Sequence, residues 1–98
     1  MKVTKKDISA IFGVSLAAIE QVGAKQLFIV VKDNIKFLVS YRTIIGIYHY
    51  NDTIWLLTTK KYSVTTSRQL STFPSLNRRI SNDALRGYLP TTLQHYAK

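Results

Sequence analysis

The stretch "TKKDISAIFGVSLAAIEQV", residues 4–22, decides the fold assigned to the rest of the chain. Thr4 stands where a helix N-cap would, with Asp7 in the place of the capping-box acid and near the positive end of the helix dipole. Ile8, Ile11 and Phe12 recur at helical spacing, and Gly13 supplies the left-handed exit that a sharp helix end needs. Ser15 then caps a second helix carrying Leu16, Ile19 and Val22 on one face, with Gly23 as its stop. The turn glycine, the small Ser9, and apolar Ile8, Val14, Ile19 and Val22 follow the spacing of a DNA-reading helix-turn-helix.

The chemistry of that motif is weaker than its spacing. A recognition helix here would present Ser15, Ala17, Ala18, Gln21 and Lys25. Gln21 can pair bidentately with adenine and Lys25 can reach a phosphate, but Ala17 and Ala18 offer only contact with a thymine methyl. Glu20 repels phosphate, and no third helix follows. Two readings stand: a DNA reader, or a helical pair that covers a sheet. The second is favoured.

From Gln26 the hydrophobic period changes to that of strands. "QLFIVV", "IKFLVSY", "TIIGIYHY" and "TIWLLTT" are β-branched and aromatic runs, placed at 26–31, 35–41, 44–50 and 53–59. "KDN" and Asn51-Asp52 are the hairpin turns, the latter suited to positive φ. Ile35, Phe37 and Val39 alternate with Lys36, Leu38 and Ser40, which predicts one core face and one partly solvated face. The third run alternates less cleanly, as a doubly covered strand would, and its Gly46 marks a bulge or a close backbone approach. Thr65, Thr66 and Ser67 read as caps of a short helix Arg68–Phe73 stopped near Pro74. A further helix is capped around Ser81–Asp83 and ends before Pro90, and residues 91–98 form a helical turn or a loose tail. The fold class is therefore α+β, with an N-terminal helical pair, a four-stranded antiparallel meander and short C-terminal helices. It forms a single domain over 1–98: a helix-turn-helix-like 1–25, a sheet over 26–59 and a basic helical part over 60–98.

Charge is the leading clue to function. Fourteen Lys and Arg against five acids leave +9 over 98 residues, and the pI is near 10.1. Such a field draws polyanions through counterion release, nucleic acid foremost. It is uneven: residues 1–33 carry a net +2 and residues 34–98 a net +7. The absence of cysteine excludes disulfides and thiolate metal sites. No apolar run suits a signal peptide or a membrane span, so a cytoplasmic protein without membrane association is expected. His49 and His95 lie far apart, the acids are scattered, and there is no Gly-rich phosphate loop. No catalytic residue, metal site or cofactor is therefore assigned, and the protein is not expected to be an enzyme.

The residues assigned to nucleic-acid binding are Lys60, Lys61 and Tyr62 after the fourth strand, Arg68 on the short helix, Arg78 and Arg79 in the next loop, and Arg42 between the hairpins, with Gln21 and Lys25 from the N-terminal pair. Tyr41, Tyr48, Tyr50 and Trp55 lie on the strands, and cations interleaved with aromatics suit single-stranded nucleic acid. The same residues also fit a half-buried sheet with a solubilising surface.

Residues 37–73 resemble small proteins encoded by bacteriophages. The likeness rests on Ser40-Tyr41-Arg42-Thr43-Ile44-Ile45-Gly46, a "S-Y-x-T" strand, and on Tyr62-Ser63-Val64-Thr65-Thr66-Ser67-Arg68, a "Y-S-x-T-T-S-[K/R]" entry into a helix. The resemblance implies a phage or prophage origin, a sheet followed by a capped helix, and action by binding in the host cytoplasm. Two functions follow: nucleic-acid binding through the basic C-terminal half, or an interaction that blocks a host or defence protein. Either admits a homodimer, since a four-stranded sheet leaves open edges.

Overall fold

The computed structural model describes residues 2–22 and 26–98. Helix α1 (Lys5–Phe12) is followed by a 3₁₀ turn at Leu16–Ala18 and by strands β1 (Ile19–Gln21), β2 (Leu27–Lys32), β3 (Ile35–Ser40), β4 (Thr43–His49) and β5 (Ile54–Thr58). Helix α2 (Val64–Ser71), strand β6 (Asn77–Ile80), helix α3 (Asn82–Tyr88) and a second 3₁₀ turn at Gln94–Tyr96 complete the chain. The six strands form one sheet in sequence order. Every pair is antiparallel except β5–β6, which is parallel and joined by α2.

This overturns the four-stranded meander with an N-terminal helical pair. The first helix is as expected: Thr4 and Asp7 form a reciprocal capping box and Gly13 closes it at φ 65°. The second helix is absent. Ser15 starts only the short 3₁₀ turn, and the chain straightens so that Ile19 pairs with Val30 and Gln21 with Phe28. The three apolar residues spaced by three fit a helix face, yet Leu16 stays 47% exposed while Ile19 is buried. Ladder bonds to the otherwise open edge of β2 outweigh the helix propensity of Ala17-Ala18. Gly23, expected to stop that helix, lies outside the described residues, as does Lys25.

The second correction is β6. Arg78 and Arg79, expected in a loop, lie on a strand whose Asn77 pairs with Trp55 and Ile80 with Thr58. Helix α2 also starts earlier than expected. Ser63 is its N-cap, accepting from the Thr66 N–H at 3.1 Å, while Thr66 itself is buried. At the β4–β5 turn the positive φ falls on Thr53 rather than on Asn51 or Asp52. Residues 91–98 are no loose tail, because Leu93 and Ala97 are buried.

The sheet is covered on both sides. One face packs Phe28, Val30, Phe37, Val39, Ile44 and Leu56 against Ile8 and Phe12 of α1, Leu85 of α3, and Leu93 and Ala97 beyond it. Phe12 sits between Phe37 and Tyr96, at centroid distances of 5.2 and 4.9 Å. The other face packs Leu27, Leu38, Ile45, Trp55 and Leu57 against Leu70 and Phe73 from α2 and its exit. The partly solvated face expected for β3 is thus covered at Leu38 and Ser40 and open only toward Lys36. Ile44 and Ile45 face opposite cores, as the broken alternation of their run suggested. The register shifts between Leu38 and Val39, which leaves Ile45 as the bulged residue of β4, and Gly46 sits beside it against Leu38.

Candidate nucleic-acid interface

Helix α2 divides its side chains by spacing. Thr66, Gln69 and Leu70 turn inward, whereas Val64, Ser67, Arg68 and Ser71 form the outward stripe. A buried polar lock fixes its position. Ser40 Oγ of β3 lies 3.1 Å from Thr66 Oγ1 and donates to Gln69 Oε1 at 2.6 Å. Ser63 Oγ, besides capping the helix, lies 3.2 Å from Thr66 Oγ1. Ser40 and Thr66 belong to the two halves of the sequence signature, so the signature is a joint between strand and helix.

Beside the outward stripe lies a shallow cleft of about 630 Å³, lined by Lys61, Tyr62, Ser63, Val64, Ser67, Arg68 and Ser71. The structure therefore brings three of the expected residues, Lys61, Tyr62 and Arg68, to one place. Among the described residues no carboxylate lines the cleft, and three serines accompany two cations there. Lys61 and Arg68 can hold the oxygens of a phosphodiester by charge and Ser67 by hydroxyl donation. Ser63 Oγ already donates to Thr66 Oγ1, and Ser71 Oγ to the Arg68 oxygen.

Lys60 and part of Tyr62 serve the fold instead. Lys60 Nζ donates to the Lys98 backbone oxygen at 2.5 Å, and the Tyr62 hydroxyl donates its one proton toward the same oxygen, with Asn82 Oδ1 at 3.3 Å as the alternative acceptor. Asn82 Nδ2 and Arg86 Nη1 hold the Ala97 oxygen at 3.0 and 2.9 Å. Burial raises the Tyr62 phenol pKa, opposed by the Asn82 hydrogen bond and the Arg86 charge. Arg78 and Arg79, successive on β6, point to opposite faces. Arg79 shares the α2 face, and its Nη1 reaches the Thr58 oxygen at 3.4 Å. Arg42 lies in the β3–β4 turn near α1, where its charge helps to lower the Asp7 pKa. The Thr4 backbone N–H, at 2.8 Å, is the larger cause. Gln21 lies on the edge strand β1, apart from this group.

The sequence reading did not include two features. Lys5 and Lys6 begin α1 at the end of the sheet that also carries Arg42, Lys60 and Lys61, whereas Asp33 and Asp52 sit in the turns at the opposite end. Lys36, on the α2 face, places its Nζ 5.6 Å from the ring centre of Tyr48. Alternation along β3 marked Lys36 as leaving the core, but only the pairing of β3 with β4 shows the ring it meets.

Among the described residues no group of three or more His, Asp or Glu could hold a metal, and no helix is long and apolar enough to cross a membrane. His49 Nδ1 pairs with Asp52 Oδ2 at 3.1 Å. The chain belongs to a family of unknown function (DUF8033), whose model matches residues 17–87. That span holds all six strands, α2 and most of α3, and therefore the whole cleft. No curated protein and no solved structure matches the chain.

Proposed function

We propose that the protein binds nucleic acid, with the backbone held along the outward side of α2. The observation that carries this reading is the convergence of Lys61 and Arg68 with Ser63, Ser67 and Ser71 on one shallow, acid-free cleft. An open trough suits a passing phosphodiester better than an enclosed small molecule. The net charge of +9 supplies long-range attraction. The test is fluorescence anisotropy with labelled duplex, single-stranded DNA and RNA over a salt series. Binding is expected to weaken as salt rises, and Lys61→Glu with Arg68→Glu to flatten the log–log slope by about 2. Charge reversal at Arg78, on the other face, should change the slope by less. Equal effects at Arg78 and at the cleft pair would sink the assignment.

One observation favours a second reading. Val64, which lines the cleft, is 76% exposed, and a phosphodiester gives an exposed valine no partner. An acidic protein, including a host or defence protein, would cover it while pairing with the same cations. Salt-sensitive binding of all three nucleic acids at the level of a generic polyanion, together with one stoichiometric protein partner lost on Val64→Asp, would establish this alternative.

A further inference from the structure

The α2 face of the sheet is only partly roofed. Helix α2 has eight residues and locks onto Ser40. Farther from Ser40 the same face carries Ile29, Val31, Lys36 and Tyr48, and Tyr50 follows at the rim. A run of ring contacts leads from the roofed part to the open part. Phe73, which leaves α2, meets Trp55 at 5.4 Å, Trp55 meets Tyr48 at 5.4 Å, and Tyr48 meets Tyr50 at 4.9 Å. Exposure rises along that run, from a buried Trp55 to Tyr50 at 54%, and Val31 on β2, across Lys36, is 41% exposed. Exposed apolar surface bordered by cations marks a contact surface.

We infer that this open half of the sheet is a stacking platform, and that the protein's nucleic-acid ligand is single-stranded. The inference rests on the nucleic-acid reading above and adds the ligand's form. Only an unpaired strand can put the face of a base against Tyr50 or Tyr48, because in a duplex those faces are stacked on their neighbours. Charge on this face is mixed: Lys36 lies beside Tyr48, and Arg68 and Arg79 lie toward the roofed part, while Glu20 on β1 shares the face and Asp33 and Asp52 sit in the turns at its open end. The exposed rings, rather than local charge, therefore carry the choice of an unpaired strand. Lys61 and Tyr50 lie toward opposite ends of the sheet, so a strand of several nucleotides would run from the cleft cations to the tyrosines.

The test uses the full chain with labelled oligothymidylate, labelled oligouridylate and a blunt DNA duplex. Tyr50→Ala, at an exposed rim position, is expected to weaken both single strands by about tenfold or more while leaving the duplex and the thermal midpoint unchanged. Tyr50→Phe, which keeps the ring, should restore the binding. Trp55 is the chain's only tryptophan and touches Tyr48, so single strands but not duplex should change its fluorescence. The two single strands separate DNA from RNA as the source of the bases. If single strands and duplex bind equally, Tyr50→Ala changes nothing and only the Lys61 and Arg68 reversals matter, the platform is refuted and the backbone reading survives. If no nucleic acid binds the intact protein, both readings are overturned.

Discussion

At the scale of single residues, Gly46 is where the sheet leaves least room. A methyl group there would lie 2.6 Å from Leu57 Cδ2 and 3.1 Å from the Leu56 oxygen. Leu57 is fully buried, so its side chain has nowhere to withdraw. Gly46→Ala should therefore cost about 1–3 kcal/mol, measured by denaturant unfolding. Thr53 shows the opposite situation, with a β-branched side chain held at φ 50°. Thr53→Gly removes that strain and should leave stability unchanged or raise it by up to about 1 kcal/mol. Asp7 sets an acid limit. Its pKa is lowered from 3.8 by the Thr4 N–H, so the folded state binds this proton less readily than the unfolded chain. The stabilisation is thus present above the ordinary carboxyl pKa and is lost as pH falls through the lowered one. Unfolding midpoints of the native chain and Asp7→Asn should converge in acid and separate toward neutral pH.

At the scale of elements, the joint between β3 and α2 is the one to test. Ser40, Thr66 and Gln69 are all buried, so each hydroxyl left without its partner bears a desolvation cost. Ser40→Ala and Thr66→Val should each destabilise, and the double variant should recover part of the sum. A coupling of about 0.5–3 kcal/mol is the range for residues in contact. Additive losses would mean that the two hydroxyls do not interact. This joint also shows how far the sequence could be read. Both motif halves stood out in the chain, but their meeting across 26 residues depends on α2 crossing the sheet, which no local pattern encodes. The capping box and Gly13 were legible because each depends on its neighbours alone. Gly46 signalled a bulge or a close approach, and the pairing with β3 places the bulge at Ile45 with Gly46 beside it. The strand at Ile19–Gln21 was not legible, since its apolar spacing fits a helix equally well. Asn77–Ile80 offered a single apolar residue, and its strand character comes from lying beside β5. The cleft was legible in part for the same reason: Lys61, Tyr62 and Arg68 are close in sequence, whereas the placement of Arg78, Arg79 and Lys36 depends on strand pairing.

At the scale of the whole molecule, the family segment and the core do not coincide. The family model spans residues 17–87, yet the core on the α1 side takes Val3, Ile8 and Phe12 from before that span and Leu89, Leu93 and Ala97 from after it. These segments meet over the sheet, where the Tyr96 hydroxyl donates to the Ile11 oxygen at 3.4 Å and its ring packs on Phe12. Burial of a large apolar side chain contributes about 1.5–3 kcal/mol, so the five large ones together approach roughly 8–15 kcal/mol as an upper bound. That equals the entire stability of a typical domain, about 5–15 kcal/mol. Without them Phe28, Phe37 and Val39, all fully buried, would keep only Leu85 of α3 among the buried residues that cover that side of the sheet. A chain cut to residues 17–87 should consequently lose cooperative thermal unfolding and bind a hydrophobic dye, although it keeps every strand and every residue lining the cleft. If that fragment instead melts sharply near the midpoint of the full chain, the terminal segments are dispensable covers and the stabilising core lies on the α2 side.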